Sequence, residues 1–134
     1  MEAVKNDVAD EKDVQLLVDT FYGKVRKDAI IGHIFDSIIG ENWSHHMPVM
    51  YRFWEMVLLG KTGYAGNPVR KHIEVDRKIA LAEEHYDRWL QLWNTTVNSL
   101  FAGTRAEEAK KRAAIMMQLI SVKIQAARDN RSIL

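Results

Sequence analysis

The chain has 134 residues, 47% of them hydrophobic, with 19 basic against 18 acidic side chains and a formal net charge of +1. That balance gives no electrostatic basis for gripping nucleic acid or an anionic membrane, and no run approaches the roughly 20 apolar residues of a membrane helix. The absence of cysteine excludes disulfides, zinc–thiolate and iron–sulfur centres and thiol catalysis, and fits a reducing compartment.

Residues 1–10 read as a loose, polar lead-in without the apolar run of a secretory signal. The expectation is therefore one cytoplasmic domain over 1–134. Residues 11–27 carry Val14, Leu17, Val18, Phe21 and Val25 at helical spacing, with Tyr22 at the edge of the stripe. Residues 30–39 are a short apolar piece, interrupted by Gly32 and closed by Gly40. A second long helix is predicted over about 42–59, its apolar face formed by Met50, Phe53, Trp54, Val57 and Leu58. His46 lies four residues before Met50 and seven before Phe53, so it shares that face. Pro48 falls inside the same stretch, and proline is tolerated only in a helix's first turn or at a kink. The helix therefore starts near Ser44 or bends beside His46, and the choice between His45 and His46 as the inward residue stays open.

The glycines of GKTGYAGN mark a loop. Asn67 suits a helix cap and Pro68 the first helical position, opening a short helix that runs to about His72 or Ile73. After a looser stretch, residues 80–101 form a long helix with Tyr86, Trp89, Leu90, Trp93, Val97 and Leu100 on one stripe, ended by Gly103. The last helix covers 105–127, with Ala106, Ala109, Ala113, Met116, Ile120 and Ile124 inward. Seven glycines and two prolines are too few for a sheet of many hairpins. The class is all-α, and its long irregular middle suggests a cavity rather than a plain bundle.

Chemistry-bearing motifs are few. There is no His-Glu-x-x-His, no glycine-rich phosphate loop and no Gly-x-Ser-x-Gly elbow, and charge runs such as EEAKKR read as solvated helix faces. What remains is a lone His72 after Asn-Pro, His46 on an apolar face, and Tyr22 and Trp89 on or beside two more. A large flat ligand between these faces would account for the bulky aromatics, the irregular middle and the isolated histidine together. Haem is such a ligand, with iron taking one imidazole and leaving its opposite position to a gas.

The strings LVDTFYGKVRKDAIIGHIF, NWSHHMPVMYRFWEMVLLG, YAGNPVRKH and HYDRWLQLW resemble the truncated haemoglobins, specifically group III, over roughly residues 13–125. The absence of any Gly-Gly pair agrees with group III. The resemblance implies a two-over-two helical sandwich around haem b. By position, His72 resembles the proximal iron ligand, and Tyr22, His46 and Trp89 the distal residues that stabilise a bound ligand. Phe21, Phe35, Met50, Phe53 and Trp54 match apolar pocket positions, and Tyr64, Arg70 and Lys71 lie where propionates would be met. The implied ligands are dioxygen, nitric oxide and carbon monoxide, bound by a monomer that touches neither nucleic acid nor membrane. Nitric oxide dioxygenase or peroxidase-like turnover is the alternative, and it would need a separate reductase, because the chain has no flavin or nicotinamide domain.

Overall fold

The computed structural model describes residues 4–133. Among them are six helices and no strand: α1 (Glu11–Val25), α2 (Gly32–Ile39), α3 (Trp43–Leu59), α4 (Pro68–Lys78), α5 (Glu83–Leu100) and α6 (Thr104–Ile133). The helices α1 and α3 pack as one pair and α5 and α6 as another. Contacts of α1 with α5 and of α3 with α6 join the pairs, which gives the expected two-over-two arrangement. Helix α4 leans on α6. None of the described helices is long and apolar enough to cross a membrane.

Helix α1 starts where the Asp10 carboxylate accepts the Asp13 N–H at 3.1 Å and buries Val14, Leu17, Val18, Phe21, Tyr22 and Val25. Burying each large apolar side chain contributes about 1.5–3 kcal/mol, so this face outweighs the cap, which contributes about 1 kcal/mol. Gly32 opens α2 rather than breaking it. A Cβ there would stand 3.0 Å from the Val25 carbonyl oxygen, so only glycine lets α2 start so close to the end of α1.

Helix α3 begins at Trp43 and continues through Pro48. The start lies within one residue of the expected Ser44, and the helix is not interrupted at the proline. Gly60 ends it in the left-handed region at φ 68°, where glycine has no steric penalty. In α4 the Asn67 side chain accepts the Arg70 N–H at 3.1 Å and Pro68 takes the first position. This helix runs to Lys78 rather than stopping at His72 or Ile73, so the middle of the chain is less irregular than its sequence suggests. The cause is Asp76, which accepts the Leu81 N–H at 2.9 Å and closes the turn beyond the helix.

Helix α5 starts at Glu83, where His85 Nδ1 accepts the Ala82 N–H at 2.9 Å. Its Trp93 is fully buried and donates its indole N–H to the Ala109 carbonyl at 3.1 Å. The small Ala106, Ala109 and Ala113 on α6 leave room for that ring. Along α6 the buried residue is Met117, with Met116 half-buried, because Ala113, Met117 and Ile120 follow the helix turn more closely. The helix also outruns its expected end at 127. The lead-in expected to be loose is tied down from Lys5 to Val8. The Lys5 ammonium donates to the Asn98 carbonyl at 2.7 Å, and Val8 is buried. The Asp7 carboxylate accepts the first N–H groups of α6, from Arg105 at 2.9 Å and Ala106 at 2.8 Å.

Candidate cofactor site

His72 sits one turn into α4 and is half-buried. Its ring Nδ1 lies 2.6 Å from the Pro68 carbonyl oxygen. A carbonyl can only accept, so the proton must sit on Nδ1. The lone pair is left on Nε2, the arrangement in which an imidazole binds a metal. Burial pushes the pKa of His72 down, and the bond to Pro68 opposes it without cancelling it. The ring therefore stays neutral at neutral pH, as a ligand must.

A second group of residues gathers around Tyr22. Its ring meets Phe21 from α1 at 5.0 Å, Phe35 from α2 at 5.9 Å, and Trp43 and His46 from α3 at 5.7 and 5.5 Å, all edge-on. Burial pushes the Tyr22 hydroxyl well above the ordinary tyrosine value, so it stays a protonated donor. His45 is exposed and His46 half-buried, which decides which of the pair faces inward. The Nε2 of His46 is buried and has no hydrogen-bond partner among the described residues. Burial, and then the neighbouring His45, hold its pKa below the ordinary histidine value. Trp89 is buried on α5, 4.9 Å from Phe21 and stacked on Trp93 at 5.6 Å.

Trp43 had not been singled out from the sequence. Its indole nitrogen is buried without a partner among the described residues, its ring is 5.7 Å from His46, and the Arg26 guanidinium lies 4.6 Å over it. Its place three residues before His46 was the available signal, hidden by the uncertain start of the helix.

The remaining expected residues divide. Met50 and Phe53 are half-buried against the core, and Phe53 touches Tyr64 of the α3–α4 loop at 5.1 Å. Trp54 is buried and stacked on Trp93 at 4.3 Å, in the core. Arg70 and Lys71 are exposed, and Arg70 pairs with Glu74 at 3.6 Å. Two surface hollows, about 430 Å³ between α5 and α6 and about 410 Å³ beside Asp10 and Lys61, include none of these residues.

The chain is 32% identical to a group 3 truncated haemoglobin of Campylobacter jejuni over 101 residues, which is 73% of this chain and 77% of that protein. The chain belongs to the group III truncated haemoglobins. A crystal structure of a group III truncated haemoglobin from Campylobacter jejuni is similar to its fold with a TM-score of 0.81. The match has 27% sequence identity and covers 90% of this chain and 95% of that one. No family model matches the chain.

The donor set of this truncated haemoglobin suits the haem that the family resemblance implies. Among the described residues no three His, Asp or Glu side chains come together to cage a bare ion. His72 instead offers one free nitrogen, as a porphyrin-held iron requires. Aromatic and apolar side chains suit the faces of a flat ring. In the Tyr22 group, the buried nitrogens of His46 and Trp43 lack hydrogen-bond partners among the described residues, and leaving such a group unpaired costs about 1–3 kcal/mol. A polar ligand beside them would relieve that cost.

Proposed function

We propose that the protein binds one haem b through His72 and takes dioxygen, or another diatomic gas, on the side lined by Tyr22, His46 and Trp89. The observation that carries this reading is the His72–Pro68 bond, which leaves a neutral Nε2 free in half-buried surroundings. Haem iron, when bound, would supply one open coordination position for a small gas. Everything else falls to the chain. Phe21, Phe35, Met50 and Phe53 keep water from the site. Tyr22 holds its proton and donates its O–H to the polar end of a bound gas, and Trp89 adds an indole N–H. His46, neutral and inward, takes up whichever hydrogen-bonding role the ligand leaves open. Arg70 and Lys71 stand at the start of α4 and Tyr64 in the loop before it, where exposed cations suit carboxylates at a watery edge.

The test is a titration of the purified protein with haem, followed by reduction and exposure to carbon monoxide and dioxygen. The expected result is one haem per chain, a sharp Soret band, and distinct spectra for the two gases. Uptake that is weak and non-stoichiometric would overturn the reading.

A further inference from the structure

The only buried residue of α4 is a charged one, Asp76. Its apolar residues Val69, Ile73 and Val75 are only partly buried. Apolar burial therefore grips this helix weakly, and an 11-residue helix has little stability of its own. Its C-terminal end is fixed by polar contacts. The Arg128 guanidinium, on α6, donates from Nη2 to Asp76 Oδ1 at 2.5 Å and from Nε to Oδ2 at 3.1 Å. The same Nη2 donates to the Leu81 carbonyl at 2.7 Å, and the Leu81 N–H donates back to Asp76 at 2.9 Å. One guanidinium thus ties α4, the turn after it and α6 together with forked geometry.

Asp76 is four residues after His72, so the two side chains lie on one face, one turn apart. At the other end Asn67 caps the helix. We infer that the Asp76–Arg128 pair is a positioning device for the iron ligand. It sets the rotation of α4 about its axis, and with that the direction in which His72 Nε2 points. An ion pair with a buried carboxylate and a half-exposed guanidinium suits this task better than extra apolar surface, because its forked geometry accepts one register and penalises the others. Both partners sit on the helix extensions that the apolar pattern does not call for, α4 beyond Ile73 and α6 beyond Ala127.

The inference rests on the proposed haem ligation by His72. Its test uses the ferrous, haem-loaded protein and reads two quantities: the iron–histidine stretching band in resonance Raman spectra, and the rate of haem transfer to a scavenging apoglobin. The variants are Asp76→Asn, Arg128→Met and Arg128→Lys, with Arg88→Met as control. Arg88→Met breaks a second half-buried carboxylate–guanidinium pair, Asp28–Arg88 at 2.7 Å, which ties the turn after α1 to α5.

Asp76→Asn and Arg128→Met are expected to shift or broaden the band and to speed haem loss about tenfold, the usual scale for groups that orient a metal ligand. Arg128→Lys should recover part of both effects. Arg88→Met should unfold more easily yet keep the wild-type band. An unchanged band in folded Asp76 and Arg128 variants, or an equal change in Arg88→Met, would overturn the inference. If the first two variants do not fold, Arg128→Lys decides alone, an intermediate band supporting the device and a wild-type band refuting it. A wild-type protein that takes haem but shows no iron–histidine band would sink the ligation by His72 itself, a failure distinct from that of the clamp.

Discussion

Tyr22 holds a donor where burial forbids ionisation. Its hydroxyl pKa is raised by desolvation, so it presents an O–H at neutral pH. A hydrogen bond to a strongly polar acceptor contributes about 1.5–3 kcal/mol. Tyr22→Phe should therefore speed dioxygen release by roughly 10- to 100-fold in stopped-flow displacement. A rate within twofold of wild type would remove Tyr22 from contact with the ligand. Slow release in the wild type would favour chemistry on the bound gas over its delivery. At this scale much of the site was readable from sequence. Asn-Pro before His72 fixes a helix start and so the histidine's place, and the spacing of His46 to Met50 and Phe53 gives its face. Asp76 was not readable, because a carboxylate in a polar helix looks solvated until its partner, 52 residues away, is known.

At the scale of elements, the helices follow their apolar stripes and caps, and the departures have local causes. Pro48 is the clearest. Placed inside α3, it has no N–H to give to the carbonyl one turn earlier, and its ring crowds that turn. Tertiary packing of α3 on α1 and α6 overrides this local preference. Pro48→Ala should thus stabilise the haem-free protein by about 1–3 kcal/mol, since proline costs about 3 kcal/mol more than alanine inside a helix. The gain is less than the full difference because alanine also frees the unfolded chain. Urea unfolding measures it, and a loss of stability would mean that α3 needs the proline. The ends of α4 and α6 were illegible for a related reason. Apolar periodicity stops where burial stops, whereas these ends are held by Asp76 and Arg128. The lead-in likewise looked loose because its anchors lie far away in sequence: Lys5 reaches Asn98, and the Asp7 carboxylate reaches the start of α6.

At the scale of the whole molecule, buried and paired titratable groups tie separate elements together and make stability depend on pH. Burial raises the Asp7 carboxyl, but the N–H groups of Arg105, Ala106 and Val8 and the Arg105 charge outweigh it and leave it low. The hydrogen bond from Arg88 holds Asp28 low. Both depressed carboxylates add stability that is complete above the ordinary value near 4 and is lost as pH falls through their folded values. His46 and His72 are also depressed, chiefly by burial. The unfolded chain therefore takes up protons first below about 6.5, and stability begins to fall there. Thermal unfolding of the haem-free protein should show a first decline below about pH 6.5 and a steeper one below about pH 4. Asp28→Asn should be less stable at neutral pH and have a flatter acid limb, and an unchanged limb would contradict the role given to the Asp28–Arg88 pair. The most direct test of the account replaces His72, the proposed iron ligand. His72→Gly, loaded with haem and reduced, should lose the wild-type spectrum and regain it on addition of free imidazole. A wild-type spectrum in His72→Gly without imidazole would show that the iron is held by another residue.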